Sequence, residues 1–339
     1  MAIKKIGLQT VKFQNPPSII STYTIVGPKE GEGPLKDYFD YILEDDVWGQ
    51  ASFEKAEAKI QEETIKAAIT NGNLTNQDID YLLAGDLLNQ IISSTYTARQ
   101  LSIPYYGLYG ACSTMTESLS LGAMLIDGGF ADKVVCATSS HFSSAERQFR
   151  FPLEYGSQRN FSAQWTVTGA GATILSSTGD GPYITYATTG KIVDKGIKDA
   201  TNMGAAMAPA AIDTLITHFN DTGFSPNDYD LIISGDLGRV GKAIVLDLMK
   251  KEGYDLSNLF TDCGVEIFDS EKQDTHAGGS GCACAAVVFN GYIYKEMKKG
   301  NFKRVLLMAT GALHSTIINQ QGESIPGIAH AITIDINKD

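Results

Sequence analysis

The residue best placed for covalent chemistry is Cys112, in the run Gly110-Ala111-Cys112-Ser113-Thr114. A strand-like stretch over 105–109 precedes it and a helical run over 115–126 follows it, so the sequence predicts the cysteine on a sharp turn between strand and helix. Unpaired backbone N–H groups and the positive end of the helix dipole lower the pKa of a thiol in such a place, and a thiolate can accept an acyl group. The alternative interpretation is a small buried cysteine at a tight turn.

Acyl transfer by a thiol also needs a base and an oxyanion donor. The loop from His276 to Cys284 offers one imidazole and two thiols among small residues. His276 is therefore a candidate base, and the competing interpretation is a loop histidine without a catalytic role. Cys282 and Cys284 have no second cysteine pair at metal-ligand spacing, so the sequence predicts no zinc site.

Polar residues suited to an anionic ligand lie between positions 139 and 150. Ser139, Ser140 and His141 end a predicted strand, at the edge where parallel sheets bind ligands, and His141 is either a donor to a carboxylate or a structural histidine. Arg147 and Arg150 are three residues apart, which places both guanidinium groups on one side of a helical turn. They either bind a planar carboxylate ligand or pair with neighbouring glutamates on a solvated face.

Two aspartates, Asp86 and Asp236, occupy equivalent positions after short apolar strands. They would repel a free dianion, but their oxygens suit the calcium of a bound chelate. The alternative role is to cap the helix that follows each of them. The sequence has no twelve-residue calcium loop, so we predict no independent metal site.

Two stretches of the sequence occur twice, which indicates an internal duplication. Residues 78–87 return at 228–237, shifted by 150 positions: each copy is a turn with two acidic residues, a short apolar strand and a polar Gly-Asp end. Residues 133–139 resemble 304–311 in the same way. Apolar residues at helical spacing precede both copies of the first repeat, so helix and strand alternate, as in parallel sheets covered by helices.

The sequence therefore predicts a layered α/β protein of two like halves. Turn residues over 176–181 interrupt the pattern, and we place the halves at 1–178 and 179–339. A second stretch rich in Gly and Pro, 27–34, is predicted to be a shaped surface loop, because no phosphate-binding Gly-Lys-Ser/Thr follows it.

The composition excludes several classes of protein. Acidic residues outnumber basic ones by 39 to 27, and a net charge of −12 repels a nucleic acid backbone. The densest apolar run, 282–289, is less than half of the roughly 20 residues that a spanning helix needs, and the first residues do not resemble a secretory segment. Five cysteines, an odd number, indicate free thiols in a reducing compartment. We expect neither a signal peptide nor a transmembrane helix.

At the level of the fold, the sequence resembles the thiolase and ketoacyl synthase superfamily, in which a duplicated α/β body carries a nucleophilic cysteine where Cys112 stands. The small-residue strand over 168–175 agrees with this resemblance. It implies two halves rich in βαβ units, stacked as α/β/α/β/α layers. Those enzymes carry a histidine in the loop where this chain has Gly235-Asp236-Leu237-Gly238, and a carboxylate beside Cys112 would oppose thiolate formation. Because the set of catalytic residues for acyl transfer is incomplete, a binding site is favoured. A Cys-dependent acyltransferase using Cys112 and His276 is the alternative.

A closer resemblance, to the stage V sporulation protein AD family of endospore-forming bacteria, covers almost the whole chain. It is carried by short motifs in both halves, at 27–30, 33–35, 84–90, 110–114, 145–150, 207–211, 277–284 and 323–326. The resemblance implies noncatalytic binding of dipicolinate (pyridine-2,6-dicarboxylate) and its calcium chelate. It also implies membrane-embedded partners in spore loading, a forespore or spore location at the inner spore membrane, and a homodimer. No cofactor is expected beyond calcium that enters with the chelate.

Overall fold

The computed structural model describes residues 3–149 and 159–338. Its strands, in chain order, are β1 (Thr10–Lys12), β2 (Ser18–Val26), β3 (Tyr41–Ile42), β4 (Tyr81–Gly85), β5 (Tyr105–Gly107), β6 (Lys133–Ser140), β7 (Trp165–Thr166), β8 (Gly169–Ser176), β9 (Tyr183–Thr188), β10 (Leu231–Ser234), β11 (Phe260–Asp262), β12 (Gly279–Ser280), β13 (Arg304–Ala312) and β14 (Gly327–Asp335).

Its α-helices are α1 (Pro28–Gly31), α2 (Phe53–Asn71), α3 (Ile92–Leu101), α4 (Thr114–Asp127), α5 (Phe142–Phe149), α6 (Met203–Thr222), α7 (Gly238–Lys251), α8 (Cys263–Glu266), α9 (Cys282–Val287), α10 (Tyr294–Lys298) and α11 (Thr316–Gln320). A π-helical segment, Val288–Ile293, joins α9 to α10. Among the described residues, none of these helices has the length and apolar character needed to cross a bilayer.

The main sheet repeats one strand order in each half of the chain. The first half runs β2-β8-β6-β4-β5 and the second runs β9-β14-β13-β10-β11. In both, the last three strands are parallel, and the two preceding pairs are antiparallel. The halves meet where Ser18 of β2 pairs with Tyr183 of β9. The predicted duplication is confirmed at the level of topology.

The same turn chemistry begins the repeated strand in each half. Thr75 and Asp78 form a capping box before β4, and Ser225 and Asp228 form the matching box before β10. In each box the hydroxyl side chain and the aspartate satisfy backbone N–H groups at the start of a short helical turn. The pair of acidic residues found in each sequence repeat therefore includes one residue that fixes the entry to the strand.

The second acidic residue of each pair joins neighbouring strands. Asp80 and Asp230 each accept two backbone N–H groups from the residues that open the adjacent parallel strand, at 2.6–3.0 Å. The four donors are Asp132, Lys133, Lys303 and Arg304. These bonds hold β4 beside β6 and β10 beside β13 at the beginnings of the strands, opposite to the strand ends that Asp86 and Asp236 follow.

Helices cover both halves of the main sheet on the outside and fill the space between the halves. α2 and α3 cover the first half, α6 and α7 cover the second, and α4 and α9 pack between the two halves. α4 is buried on several sides and carries serine and threonine hydroxyls that bond to its own carbonyls, such as Ser118 Oγ to the Met115 oxygen at 2.8 Å. The hydroxyls are thereby satisfied without water. The expected α/β/α/β/α layering is confirmed.

The stretch 27–34 differs from the surface loop predicted for it. It contains the short helix α1, which Pro28 can begin because its missing N–H is not needed in the first turn. The helix buries Glu30, whose Oε1 accepts the Thr168 N–H at 3.0 Å beside the first-half sheet. A side chain at Gly33 would clash with the Ile267 carbonyl, 2.1 Å from the position of a Cβ atom. The glycines there serve packing, which a single sequence did not reveal.

Candidate functional site

Cys112 lies on the sharp turn that the sequence predicts, between β5 and α4. Ala111 adopts a left-handed conformation with φ of 50°, and α4 begins at Thr114. The Thr114 hydroxyl donates to the Ala111 carbonyl at 2.6 Å and accepts the Gly110 N–H at 3.0 Å. The Ser113 hydroxyl donates to the Gly110 carbonyl at 2.7 Å. The Ser-Thr pair that follows the cysteine therefore locks the turn that presents its thiol.

The group that faces this thiol is a carboxyl. Asp236 follows β10, is fully buried, and accepts the Thr310 hydroxyl at 2.7 Å on its Oδ1. The Cys112 thiol and the Gly281 N–H at the head of α9 lie close enough to this carboxyl to shift its pKa, and its Oδ2 has no hydrogen-bond partner among the described residues. Strand ends from the second half and two helix ends thus converge on one point at the centre of the molecule.

Burial decides the protonation of this pair. It raises the pKa of the Cys112 thiol well above the ordinary value, and the Asp236 charge and the hydrogen bond to it raise this pKa further. Burial also raises the pKa of Asp236 to about 7, although the hydrogen bonds from Cys112 and Thr310 act in the opposite direction. The helix end does not produce a thiolate here, because desolvation and a neighbouring acid outweigh it.

The pair forms the floor of an open pocket. Its apolar walls include Leu87, Ala145, Phe149, Met203 and Met207. Its polar lining outside the floor includes Tyr109, Glu146, Thr166, Ser280 and His314. Among the described lining residues there is no lysine or arginine. The pocket therefore joins a hydrophobic slot to a floor of hydroxyls and carboxyls.

Several of these lining residues were not singled out from the sequence, although the repeat carried a signal for one of them. His141 follows β6, and His314 follows the matching strand β13, so the same sheet edge presents a histidine in each half. The Phe149 and His314 rings lie 5.8 Å apart between centroids. Tyr109 and Glu146 had no such signal, because their position depends on how the loop after β5 and helix α5 pack over the edge of the sheet.

Asp86, the counterpart of Asp236, has a different environment. Its carboxylate accepts the Leu88 N–H at 2.9 Å and the Ser94 N–H at 2.7 Å, at the start of α3. This is the capping role considered above for both aspartates. Asp86 is fully buried and is not among the residues that line the pocket. Only one member of the predicted pair of aspartates therefore reaches the site.

Ser139 and Ser140 are buried at the end of β6 and use their hydroxyls within the protein. Ser139 Oγ donates to Glu57 Oε1 at 3.1 Å, and Ser140 Oγ donates to the Val167 carbonyl at 2.7 Å while accepting the Ala283 N–H at 3.1 Å. Glu57 is itself buried on α2, and burial raises its pKa well above the ordinary value. These serines support the strand end and do not line the pocket.

His141 is also held by protein groups. Its Nδ1 accepts the Ser143 N–H at 3.1 Å, so its Nε2 carries the proton that is shared with the Asp46 carbonyl at 2.7 Å. Burial lowers its pKa, which favours this neutral form. Both ring nitrogens of His141 therefore bind groups of the protein, as expected for a structural histidine.

Of Arg147 and Arg150, the structure describes only Arg147. Arg147 on α5 is half-exposed and forms an ion pair with Glu54 of α2. Arg150 lies outside the described residues. A pairing of Arg147 with a glutamate was the competing interpretation, although the partner comes from a different helix.

His276 lies in a loop away from the pocket lining. Its Nδ1 is bonded to the Asn160 carbonyl at 2.7 Å, and its Nε2 lies 2.9 Å from Asp274. Neither nitrogen is directed at Cys112 in these contacts. Within 3–149 and 159–338, no group of three histidine, cysteine or acidic side chains is arranged to hold a metal ion.

The duplicated sheet, with a cysteine at the head of a buried central helix, defines a thiolase-like protein. Two solved structures share this fold. The 3-oxoacyl-[acyl-carrier-protein] synthase III from Aquifex aeolicus VF5 is 13% identical over 94% of this chain and 99% of its own, with a TM-score of 0.57. A histidine-to-asparagine variant of Xanthomonas campestris OleA is 14% identical over 95% of this chain and 99% of its own, with a TM-score of 0.61. At such identities the likeness shows the fold alone.

Sequence comparison defines the particular family. The Stage V sporulation protein AD (SpoVAD) family matches residues 7–335. The Stage V sporulation protein AD of Bacillus subtilis (strain 168) is 47% identical over 333 residues, which cover 98% of each chain. The chain belongs to the stage V sporulation protein AD family and is a sporulation protein with a thiolase-like fold.

Proposed function

We propose that this protein binds dipicolinate and its calcium chelate in the Cys112–Asp236 pocket, without catalysis, for uptake into the developing spore. The observation that carries the proposal is the carboxyl of Asp236, which faces the thiol where acyl-transferring members of the superfamily carry an imidazole. A carboxyl there keeps the thiol protonated. A pocket of this fold whose thiol is kept protonated by burial and a carboxyl is better suited to holding a ligand than to transferring an acyl group.

The walls and the floor of the pocket suit the two parts of dipicolinate. The ligand is flat and aromatic, and Phe149, Leu87 and Met207 supply an apolar slot with one aromatic ring. Its carboxylates need donors, and the hydroxyls of Thr166 and Ser280 lie in the same lining. Such polar groups, few and placed at one end of an apolar cavity, are what orients a small ligand.

The acidic residues of the lining favour the chelate as one form of the ligand. Asp236 and Glu146 both border the pocket, and hard carboxylate oxygens are the ligands that calcium prefers. A chelated calcium would offset the repulsion between these groups and the dicarboxylate. Calcium enters this proposal only as part of the bound chelate.

Calorimetry with dipicolinate, with and without calcium, tests the proposal. We expect saturable binding of both forms, and a ligand at about 100 times its Kd should stabilise the fold by about 2.7 kcal/mol in thermal unfolding. Phe149→Ala should weaken binding about tenfold or more because an aromatic wall is lost, whereas Phe130→Ala, at an exposed site, should not. Absence of heat and of stabilisation with either form, in folded protein, would refute dipicolinate binding.

The acyltransferase alternative has one observation in its favour. The Gly281 N–H at the head of α9 lowers the pKa of the Cys112 thiol against the larger effect of burial, and a backbone N–H beside the nucleophile is the kind of group that serves as an oxyanion donor. Incubation with acyl thioesters followed by intact mass measurement separates the two functions. We expect no adduct on Cys112, and an adduct that Cys112→Ser removes would establish acyl transfer.

We also propose a spore location and two kinds of protein partner. The chain would act as a homodimer and would work beside membrane-embedded proteins of the same transport system, at the inner spore membrane. Membership of a sporulation family supports the location, and an exposed sheet edge at β5 supports the dimer. We propose no nucleic acid partner, because the chain carries a charge of −12.

A further inference from the structure

Trp165 on β7 has two cations on one face of its indole ring. Phe142 stacks on the opposite face, with the ring centroids 3.6 Å apart and the ring planes 8° from parallel. The Lys29 ammonium lies 4.0 Å and the Arg159 guanidinium 4.7 Å from the centroid of the indole ring, where each is attracted by the ring. Because Phe142 covers one face, the two like charges share the other.

The guanidinium of Arg159 is only partly used by the protein. Its Nη2 donates to the Asp274 backbone oxygen and lies 3.0 Å from Asp274 Oδ2. The side chain is 14% exposed, and its buried Nη1 has no hydrogen-bond partner among the residues that the structure describes. Buried N–H donors in proteins normally have acceptors, so an unused one marks a place where an external acceptor can bind.

The ammonium of Lys29 is the second unused donor. It forms no ion pair within the described parts of the chain. The backbone of Lys29, at the last turn of α1, is fixed because its carbonyl accepts Gln273 Nε2 at 2.6 Å. Gln273 and Asp274 are neighbours in one loop, so the same loop holds Lys29 by its backbone and Arg159 by its side chain.

Two carboxylates of the protein lie near these cations. Asp274 is 75% exposed, and its pKa is lowered chiefly by the charge of Arg159 and further by those of His276 and Lys29. Its other oxygen lies 2.9 Å from His276 Nε2, so this acid is divided between two partners. Asp46 lies beside the start of α1. Neither acid supplies an acceptor to Nη1 of Arg159.

We propose that Lys29 and Arg159 form a binding site for the carboxylate of a small molecule, on the opposite side of β7 from the pocket. Trp165 immediately precedes Thr166 of the pocket lining, and successive side chains of a strand point to opposite faces. One carboxylate oxygen would accept from Nη1 and the other from the ammonium, which satisfies both unused donors. The inference stands whether or not the pocket binds dipicolinate.

The surroundings favour a carboxylate over a phosphate. Asp274 and Asp46 repel any anion, and they repel a doubly charged phosphate more strongly than a singly charged carboxylate. Both faces of the Trp165 ring are already covered, one by Phe142 and one by the cations, so the site recognises the charged group of a ligand and not an aromatic ring. Acetate is therefore a sufficient probe.

Tryptophan fluorescence tests the site, because the chain has only two tryptophans. In Trp48→Phe protein, we expect a saturable change in Trp165 emission when acetate replaces chloride at constant ionic strength. Lys29→Met and Arg159→Gln should each raise the Kd for acetate about tenfold or more, since each removes a charged hydrogen bond. Asp274→Ala should lower this Kd about threefold, because it removes a competing carboxylate while Arg159 keeps its bond to the backbone oxygen of residue 274.

The second tryptophan supplies a matched control. The Lys59 ammonium lies 4.3 Å from the Trp48 ring centroid, but it donates to the Trp48 carbonyl at 3.0 Å and is already engaged. In Trp165→Phe protein, Trp48 emission should not respond to acetate. Phe149→Ala alters the pocket and leaves both cations in place, so in the Trp48→Phe background it should keep the Trp165 response.

Four results would overturn the proposed carboxylate site. Trp165 would show no saturable response to acetate, or the Lys29→Met and Arg159→Gln proteins would respond as the parent does, or phosphate would bind where acetate does not. A response that Phe149→Ala abolishes would place the anion in the pocket. Calorimetry with dipicolinate measures the pocket separately, so dipicolinate binding without a Trp165 response to acetate would refute this site alone.

Discussion

The thiol of Cys112 and the carboxyl of Asp236 shift each other's pKa. Burial and the charge of the carboxyl keep the proton on sulfur, and the neighbouring thiol makes the carboxyl a stronger acid than burial alone would allow. Asp236 therefore titrates near neutrality, with a pKa of about 7, while the thiol stays neutral far above it. The protonation of the Cys112 thiol therefore depends on the aspartate at position 236.

Replacing Asp236 by asparagine should make the Cys112 thiol more reactive. Asp236→Asn removes a negative charge that raises the Cys112 pKa, so this pKa should fall and thiolate should become more abundant. A fall of one unit gives about tenfold faster alkylation by iodoacetamide under mildly alkaline conditions. Mass spectrometry of Cys112 against pH measures the rate.

The natural control for this prediction is Asp86→Asn. Asp86 occupies the equivalent strand end but serves as a cap for α3, so its replacement should leave the alkylation profile of Cys112 unchanged. An Asp236→Asn protein that reacts no faster than the unaltered protein would show that the carboxyl does not govern the thiol.

A second buried acid makes stability depend on pH. Burial raises the pKa of Glu30 to about 8. Because this pKa is higher in the folded than in the unfolded state, the folded protein holds the proton more tightly, and stability is lost as pH rises from about 4.5 through about 8. Glu30→Gln keeps an acceptor for the Thr168 N–H and removes the titration.

Urea unfolding at about pH 5 and about pH 8.5 measures this effect. Between them the unaltered protein should lose on the order of 2–4 kcal/mol more than Glu30→Gln, since each unit of pKa shift corresponds to about 1.4 kcal/mol. The exposed neighbour Glu32 supplies the control, because Glu32→Gln should follow the unaltered protein. Equal pH slopes in all three proteins would contradict the buried titration.

At the scale of elements, the duplication makes a quantitative prediction. Asp80 and Asp230 each hold two backbone N–H groups of a neighbouring strand, so Asp80→Ala and Asp230→Ala remove matching bonds from the two halves. Each should lower the free energy of unfolding by about 1–2 kcal/mol, and the two losses should be similar. Denaturant unfolding checks this, and a large loss in one half only would show that the repeat is not energetically equivalent.

The elements were predictable because they follow local patterns. Helical spacing around Ile60 marks α2, the small residues of β8 mark a buried strand, and the repeated acidic turns mark β4 and β10. The turn at Cys112 was equally clear, since strand, small residues and helix follow one another directly. Each of these signals lies within about 20 residues of the feature it predicts.

The site was less predictable because its contacts span the chain. Asp236 meets Cys112 across 124 positions and Thr310 across 74, and no periodicity relates these residues. Whether a buried polar residue such as Ser139 faces a pocket or a neighbouring helix depends on packing that one sequence does not encode locally. For the same reason the sequence left open whether His141 and Asp86 bind a ligand or support the fold. In the structure both residues contact groups of the protein: His141 the Asp46 carbonyl and Asp86 the Ser94 N–H.

At the scale of the whole molecule, the continuous sheet ends at β5 and at β11 in the part of the chain that the structure describes. Exposed strand edges pair readily with other chains, and proteins usually protect them with charge or cover. β5 carries no charged residue, and its central residue Tyr106 is 52% exposed. Pairing of β5 with the same strand of a second copy would remove this edge and extend the sheet through both chains.

The homodimer that we propose therefore makes a direct prediction about Tyr106. Light scattering after gel filtration should give the mass of two chains, and Tyr106→Lys should shift the population to single chains, because a lysine on each copy would bring like charges together at the edge. Tyr41→Lys, on the short strand β3 away from that edge, is 45% exposed and should remain dimeric. A single-chain mass for the unaltered protein at all concentrations would refute the dimer. A dimer that persists in Tyr106→Lys would instead place the interface elsewhere, and Tyr106 would then need another reason to be an exposed aromatic residue on an uncovered strand.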